Sequence, residues 1–284
     1  MQKINNNNFF IKRKTYFIKK YSKDRKKSFE RELYFYNFFK YNQNILIPKL
    51  LKKNKNISIT FQYYPLKKIK SQKEYFRALF NFFCQTNHNS NKRYLKASKE
   101  MHTSTKKIRE NINSRILDIK EGQKNDIKLN IIINKLVKIL PKKNSLKKFN
   151  SKKFQIISQS DIGIHNAGLI KKKILFFDFE YSGRDHIVKF LCDIYYQPEL
   201  NVNRNIFKSF FKKVQKFIGI DLSSVIATYE PFYKVKMILI ILKIFNAKNN
   251  FYNSTNHKIL KIKKERLKKA YMYFNKKSII SLIK

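Results

Sequence analysis

The sequence predicts an α+β chain, a small β-rich part over residues 1–66 and a larger helical part over 67–284. Three observations predict this. Strand-type runs at 9–21 and 57–64, with one helix between them, fill the first 66 positions, and Pro65 closes that stretch. Apolar residues at three- and four-residue spacing dominate the rest of the chain. A second β segment, 154–179, interrupts the helical run.

In order along the chain, residues 9–21 carry two aromatic and β-branched runs split by charged residues, which predicts a β-hairpin. In SFERELYFYNFF, Phe29, Leu33 and Tyr36 fall at i, i+4 and i+7, an amphipathic helix. Pro48 makes its neighbourhood an edge or a loop, and 57–64 alternates as a strand. Residues 75–84, 103–119 and 126–139 have helical spacing, and 142–153 is a basic linker. Strands are expected at 154–158, 169–170 and 174–179. Helical spacing returns at 187–195, 205–217, 230–245 and 256–274.

Composition excludes several classes. At 43% hydrophobic and 15% aromatic, the chain has the apolar surface that disordered chains lack. Cys84 and Cys192 stand far apart, too few for a metal quartet or a disulfide framework, which suits a reducing, cytoplasmic setting. The longest apolar run, 237–242, is far short of the ~20 residues of a membrane span. No cleaved secretory signal is expected, because MQKINNNN has no apolar core.

The formal charge of +46 invites a nucleic-acid reading. However, Lys, Asn, Ile, Phe and Tyr are enriched together, as A/T-rich codons would produce, and the lysines are spread over the whole chain. The expectation is a basic surface without a specific nucleic-acid partner.

The chemistry concentrates in SQSDIGIHNAGLIKKKILFFDFEYSG. Asp161 follows a predicted strand, Asn166 comes five residues later, and Asp178 ends an apolar strand. An acid on such a loop can take the proton of a hydroxyl nucleophile, and an Asn and a second acid across a hairpin offer hard oxygens to Mg²⁺. This is the base-and-metal half of the kinase signature. Upstream, Lys19 ends the strand TYFI, where a kinase places its phosphate-contacting lysine. Glu32 lies thirteen residues further on the first helix, with Glu30 as a competitor.

With those motifs, the chain resembles the aminoglycoside phosphotransferase/choline kinase family, among bacterial members of unassigned substrate. SDIGIHNA and FFDFEYSGRDHIVKFLCDIYYQP carry the likeness most specifically, and INNNNFFIKRKTYFIKKY, FERELYFY and PFYKVKMILIILKIFNA extend it over nearly the whole chain.

The resemblance implies a protein-kinase-like fold: a nucleotide-binding β lobe over 1–66, and a helical lobe over 67–284 with the catalytic loop and metal site. It implies ATP and Mg²⁺ as cofactors, Asp161 as catalytic base, and Asn166 and Asp178 as metal ligands. Lys19 would bind phosphate, Glu32 would brace Lys19, and Asn5, Asn6, Asn7 and Asn8 would form the loop over the phosphates. Asp193 resembles an aspartate that supports the base loop.

Two positions depart from the pattern. Gln159 stands where the family has histidine, and the phosphate loop has no glycine. They keep a second reading open, a pseudokinase or nucleotide-binding module without catalysis. The expected acceptor is a small hydroxyl compound. A sugar or surface-polysaccharide precursor is favoured because only 18 acidic residues are present. A choline- or ethanolamine-like amino alcohol comes second, through Glu180 and Tyr181.

Overall fold

The computed structural model describes residues 2–5, 8–39, 46–88, 95–102, 104–122, 126–141, 152–246 and 256–283, with the backbone alone for 2–5 and 8–10. The strands are β1 (Gln2–Asn5), β2 (Asn8–Lys12), β3 (Tyr16–Tyr21), β4 (Leu50–Asn54), β5 (Ser58–Gln62), β6 (Gln155–Ser158), β7 (Ala167–Ile170), β8 (Lys173–Phe176) and β9 (Gly183–His186). The first helices are α1 (Lys26–Phe38), α2 (Gln72–Asn87), α3 (Thr105–Gly122), α4 (Ile127–Lys138) and α5 (Ile187–Tyr195). After these come α6 (Arg204–Ile218), α7 (Ser223–Ile241), α8 (His257–Phe274) and the short α9 (Ile280–Ile283).

The chain divides into two compact units. One comprises Met1–Met101, Gln155–Phe190 and Val202–Gly219, and the other His102–Phe154, Leu191–Asn201 and Ile220–Lys284.

In the first unit an antiparallel sheet runs in the order β1-β2-β3-β5-β4. The predicted hairpin is β2–β3, and polar β1 adds an edge that no hydrophobic pattern announces. The register pairs Phe17 with Phe61 and Lys19 with Ile59, and the two rings stack at 5.1 Å. α1 packs on this sheet through Tyr36, whose ring lies 4.9 Å from that of Phe61. Its buried face is Phe29, Glu32, Phe35 and Tyr36, while Leu33 is half-buried. The expected face of Phe29, Leu33 and Tyr36 is thus buried at its two ends and half-buried at Leu33, and it widens to take in Phe35 and the acid Glu32.

Ser71 caps α2, its hydroxyl accepting the Glu74 N–H at 3.2 Å. Its apolar face carries Phe76 against Phe210 of α6 (5.2 Å) and Phe82 against Phe176 at the end of β8 (4.7 Å). Asn203 caps α6, and Gly219 at φ +70° ends it, a left-handed position that glycine adopts without a Cβ clash. β6 pairs with β9 and β7 with β8, both antiparallel. The four residues of β9, Gly-Arg-Asp-His, are too short and polar to be read as a strand.

In the second unit Ile108, Ile112, Ile116 and Ile119 line one face of α3 and are buried. Asp126 caps α4 by accepting the Leu129 N–H at 2.9 Å. α7 packs on α3 and α8. It begins at Ser223, not at 230 as expected, and Pro231 lies inside it. Burial nearly all round leaves it no amphipathic period to read. Glu230 of α7 accepts the Tyr196 hydroxyl and the Ile279 N–H, both at 2.5 Å. Of the expected basic linker, residues 142–151 lie outside the described residues. Among the described residues no helix is long and apolar enough to cross a membrane.

Candidate active site

Lys19 sits on β3 between β2 and β5, with its side chain buried. Its ammonium lies 2.7 Å from Glu32, 2.5 Å from Asp178 and 3.4 Å from Glu180. Tyr21, two residues on and therefore on the same side of the strand, donates its hydroxyl to Glu32. Burial alone would lower the lysine pKa, but the carboxylates of Glu32, Asp178 and Glu180 outweigh it and hold Lys19 above its ordinary value. Arg25, in the turn before α1, bonds Glu180 at 2.5 Å and brings a second cation to the three acids. Glu30 faces solvent on the opposite side of α1.

Asp178 does not end β8, which stops at Phe176; it comes two residues later in a left-handed conformation at φ +65°. Phe179 accounts for the break. Its ring stacks on Phe35 at 4.3 Å and meets Tyr36 edge-on at 5.4 Å, while its N–H donates to Glu32 at 3.2 Å. With Phe179 locked under α1, Asp178 turns out of the strand toward Lys19.

Asp161 lies in the loop after β6, its side chain 42% exposed and thus open to a substrate. His165 is 3.7 Å from it, beyond hydrogen-bond reach. The Asn166 amide donates to the Asp161 carbonyl at 3.1 Å, and the Phe177 N–H donates to the Asn166 carbonyl at 3.0 Å. Gln159 donates its amide to the Phe177 carbonyl at 2.5 Å. The residue standing in place of the family histidine therefore ties this loop to the segment that carries Asp178.

Beneath the loop, fully buried Lys189 bonds the Ser160 hydroxyl and Asp185, each at 2.8 Å. Ser160 itself is left-handed at φ +67°. Asp193, to which the resemblance gives loop support, is buried with a carboxylate oxygen 3.9 Å from the Lys236 ammonium. The side chain that grips Ser160 is that of Lys189. A lysine four residues after an aspartate in the otherwise apolar IVKFL stretch was the available signal for this pair. Arg25 and Tyr21 had no such signal.

The donor set suits a hard divalent cation. Glu32, Asp178 and Glu180 can each present an oxygen within 4.8 Å of the others, and Asn166 keeps its side-chain oxygen out of the bond to Asp161. The Lys19 ammonium stands within 3.4 Å of all three acids and already neutralises part of their charge. Asn5 ends β1 and Asn8 begins β2, paired with each other; their side chains, and Asn6 and Asn7 entirely, lie outside the described residues.

No protein-family model and no curated protein sequence matches the chain. Solved structures do. The choline kinase LicA from Streptococcus pneumoniae aligns at TM-score 0.61 and 14% identity, over 96% of this chain and 92% of that one. The ADP-bound aminoglycoside phosphotransferase APH(2'')-Ib aligns at 0.59 and 13%, over 95% and 92%. A choline/ethanolamine kinase family protein from Mesorhizobium loti aligns at 0.58 and 12%, over 98% and 88%. The chain has a kinase-like fold. This kinase-like α+β architecture is the one the resemblance implied.

Proposed function

We propose that the protein is an ATP-dependent phosphotransferase moving the γ-phosphoryl group to a hydroxyl of a small molecule. Residues 1–66 would serve as the nucleotide lobe and 67–284 as the lobe carrying the catalytic loop and metal residues. The observation that carries the reading is the cluster of buried Lys19 and Glu32 with half-buried Asp178, joined by backbone and amide bonds to a loop presenting an accessible Asp161.

In the reaction the acceptor oxygen forms a bond to the γ-phosphorus while the bond from that phosphorus to the ADP oxygen breaks. The hydroxyl proton passes to the Asp161 carboxylate and then to solvent. Lys19, kept charged by its acids and oriented by Glu32, donates to the phosphates, and Asn5–Asn8 would cover them. Mg²⁺ held by Asn166 and Asp178 would neutralise charge on the phosphate oxygens. Gln159 and Lys189 keep the base loop in register.

The acceptors named for the similar structures are aminoglycosides and amino alcohols. The sugar or surface-polysaccharide precursor expected from the sequence is not among them. The proposed acceptor is therefore a hydroxyl compound, with its charge left to the side chains that surround the base loop.

Asp178→Asn tests the proposal. Mg·ATP-dependent turnover, measured as ADP release with labelled ATP, should fall by a factor on the order of 10³ while circular dichroism stays unchanged. Undiminished turnover in that variant refutes the metal assignment. Nucleotide that raises the melting temperature equally with and without Mg²⁺ favours a binding module over an enzyme.

A further inference from the structure

The hairpin of β7 and β8 has two faces. Its register pairs Leu169 with Ile174 and Ala167 with Phe176, so Leu169, Ile174 and Phe176 share one face while Gly168 and Leu175 lie on the other. On the first face a cavity of about 510 Å³ opens against α2. Small-molecule pockets run from roughly 300 to 1,000 Å³. Phe82 of α2 and Phe176, whose ring centroids are 4.7 Å apart, both line it. Leu46, whose carbonyl accepts the Phe176 N–H at 2.9 Å, adds to the same apolar floor.

The rim has a different chemistry. Glu74, Arg77, Asn81 and Gln85 line the cavity at steps of three and four residues, one stripe of α2. Lys171, Lys172 and Lys173 line it from the hairpin. Four cations therefore border the apolar floor, against the single carboxylate of Glu74. Among the described residues none of the four lies within ion-pair distance of an acid. Lys171 has φ +52° and is the first residue of the two-residue turn between β7 and β8, where glycine is favoured. A lysine is thus held at a strained position on the cavity wall, and strain of this kind clusters at ligand sites.

We propose that this cavity binds an amphipathic carboxylate, its apolar body on Leu46, Phe82, Leu169, Ile174 and Phe176 and its anionic end toward Arg77 and Lys171–Lys173. The amides of Asn81 and Gln85 can donate to the same oxygens. A purely polar anion would leave the apolar floor wet, and a cationic ligand would meet four like charges. The site is separate from the candidate active site, because Asp161, Asn166 and Asp178 do not line it. Asn166 precedes β7 and Asp178 follows β8, so the occupant rests on the segment that joins them. The inference does not depend on the phosphotransferase reading.

Calorimetric titration of the full chain at pH 7 with 2-naphthoate, 2-naphthol, 2-naphthylmethylamine and acetate tests it. 2-Naphthoate should saturate one site and bind about tenfold more tightly than 2-naphthol, the gain of one charged hydrogen bond. Acetate controls for the general attraction of a chain with charge +46. Ala78→Phe, at a half-buried position that lines the cavity, should fill it and weaken 2-naphthoate by at least about tenfold. Lys171→Gly removes one exposed cation and should weaken it about two- to fivefold. Glycine suits the left-handed turn, so this variant remains informative if Ala78→Phe misfolds. Hydrogen exchange should slow in 74–85 and 169–176 when 2-naphthoate is bound.

Failure of 2-naphthoate to saturate, tighter binding of the amine, or equal affinity for acetate overturns the inference. So does protection confined to other segments. Affinity unchanged in folded Ala78→Phe, or in Lys171→Gly should the first variant not fold, overturns it as well. The kinase reading is judged by the Asp178→Asn turnover, which has no bearing on binding here, so the two fail separately.

Discussion

Lys189→Met removes one partner of a fully buried ion pair and one anchor of the base loop. Asp185 would be left charged and uncompensated in the interior, at a cost of about 3–5 kcal/mol. The charged bond to Ser160 contributes a further ~1.5–3 kcal/mol, although the two are not strictly additive. Together they amount to at most about 4.5–8 kcal/mol, a large share of the stability of a typical domain, about 5–15 kcal/mol. Urea denaturation monitored by circular dichroism should show a clearly lowered midpoint at an unchanged slope.

The double variant Lys189→Met/Asp185→Leu removes both charges and should recover most of the loss, because a buried pair is replaceable by apolar packing. The His186 N–H, which donates to Asp185, loses its acceptor and leaves a residual deficit of about 1 kcal/mol. Phosphoryl transfer should nevertheless stay depressed in the double variant. Ser160 keeps its left-handed backbone next to Asp161 through the Lys189 bond, and apolar packing cannot replace that bond. A single variant costing less than about 1 kcal/mol would refute the buried-charge argument. Full recovery of turnover in the double variant would refute the positioning argument.

Two further outcomes rest on buried geometry. Gly183→Ala places a Cβ against the Lys96 carbonyl at a φ that other residues avoid, and should cost at least about 2 kcal/mol with increased proteolysis near Lys96–Lys99; an unchanged melting temperature and digestion pattern would contradict it. Glu230 has its carboxyl raised by burial, so the folded state binds the proton more tightly than the unfolded state. The stability this contributes is present below the ordinary carboxylate value and is lost as pH rises through the raised one. Relative to Glu230→Gln, the wild type should therefore lose ground from acid to neutral pH; melting curves whose difference is flat across that range would exclude the assignment.

Local spacing determined a good deal of this chain. The hairpin of β2 and β3, the helices α1–α6 and α8, and the order of Lys19, Glu32, Asp161, Asn166 and Asp178 depend on runs of neighbouring residues, where a period of two or of three to four is visible without partners. The α+β character came from the same runs, and its kinase-like identity from the resemblance carried by the motifs. Packing decided what a periodic pattern leaves open. The choice between Glu32 and Glu30 is a matter of helix rotation, settled because Phe35 and Tyr36 must both reach Phe179. The start of α7 was hidden by Pro231 and by burial on every side, which erases the amphipathic signal. β1 and β9 exist because a paired strand satisfies their backbones, although their side chains show no alternation. The contacts of Lys189 with Ser160, Gln159 with Phe177 and Lys99 with Tyr181 span 29, 18 and 82 positions. Such partners are selected by the geometry of a closed core, and no nearest-neighbour preference encodes them.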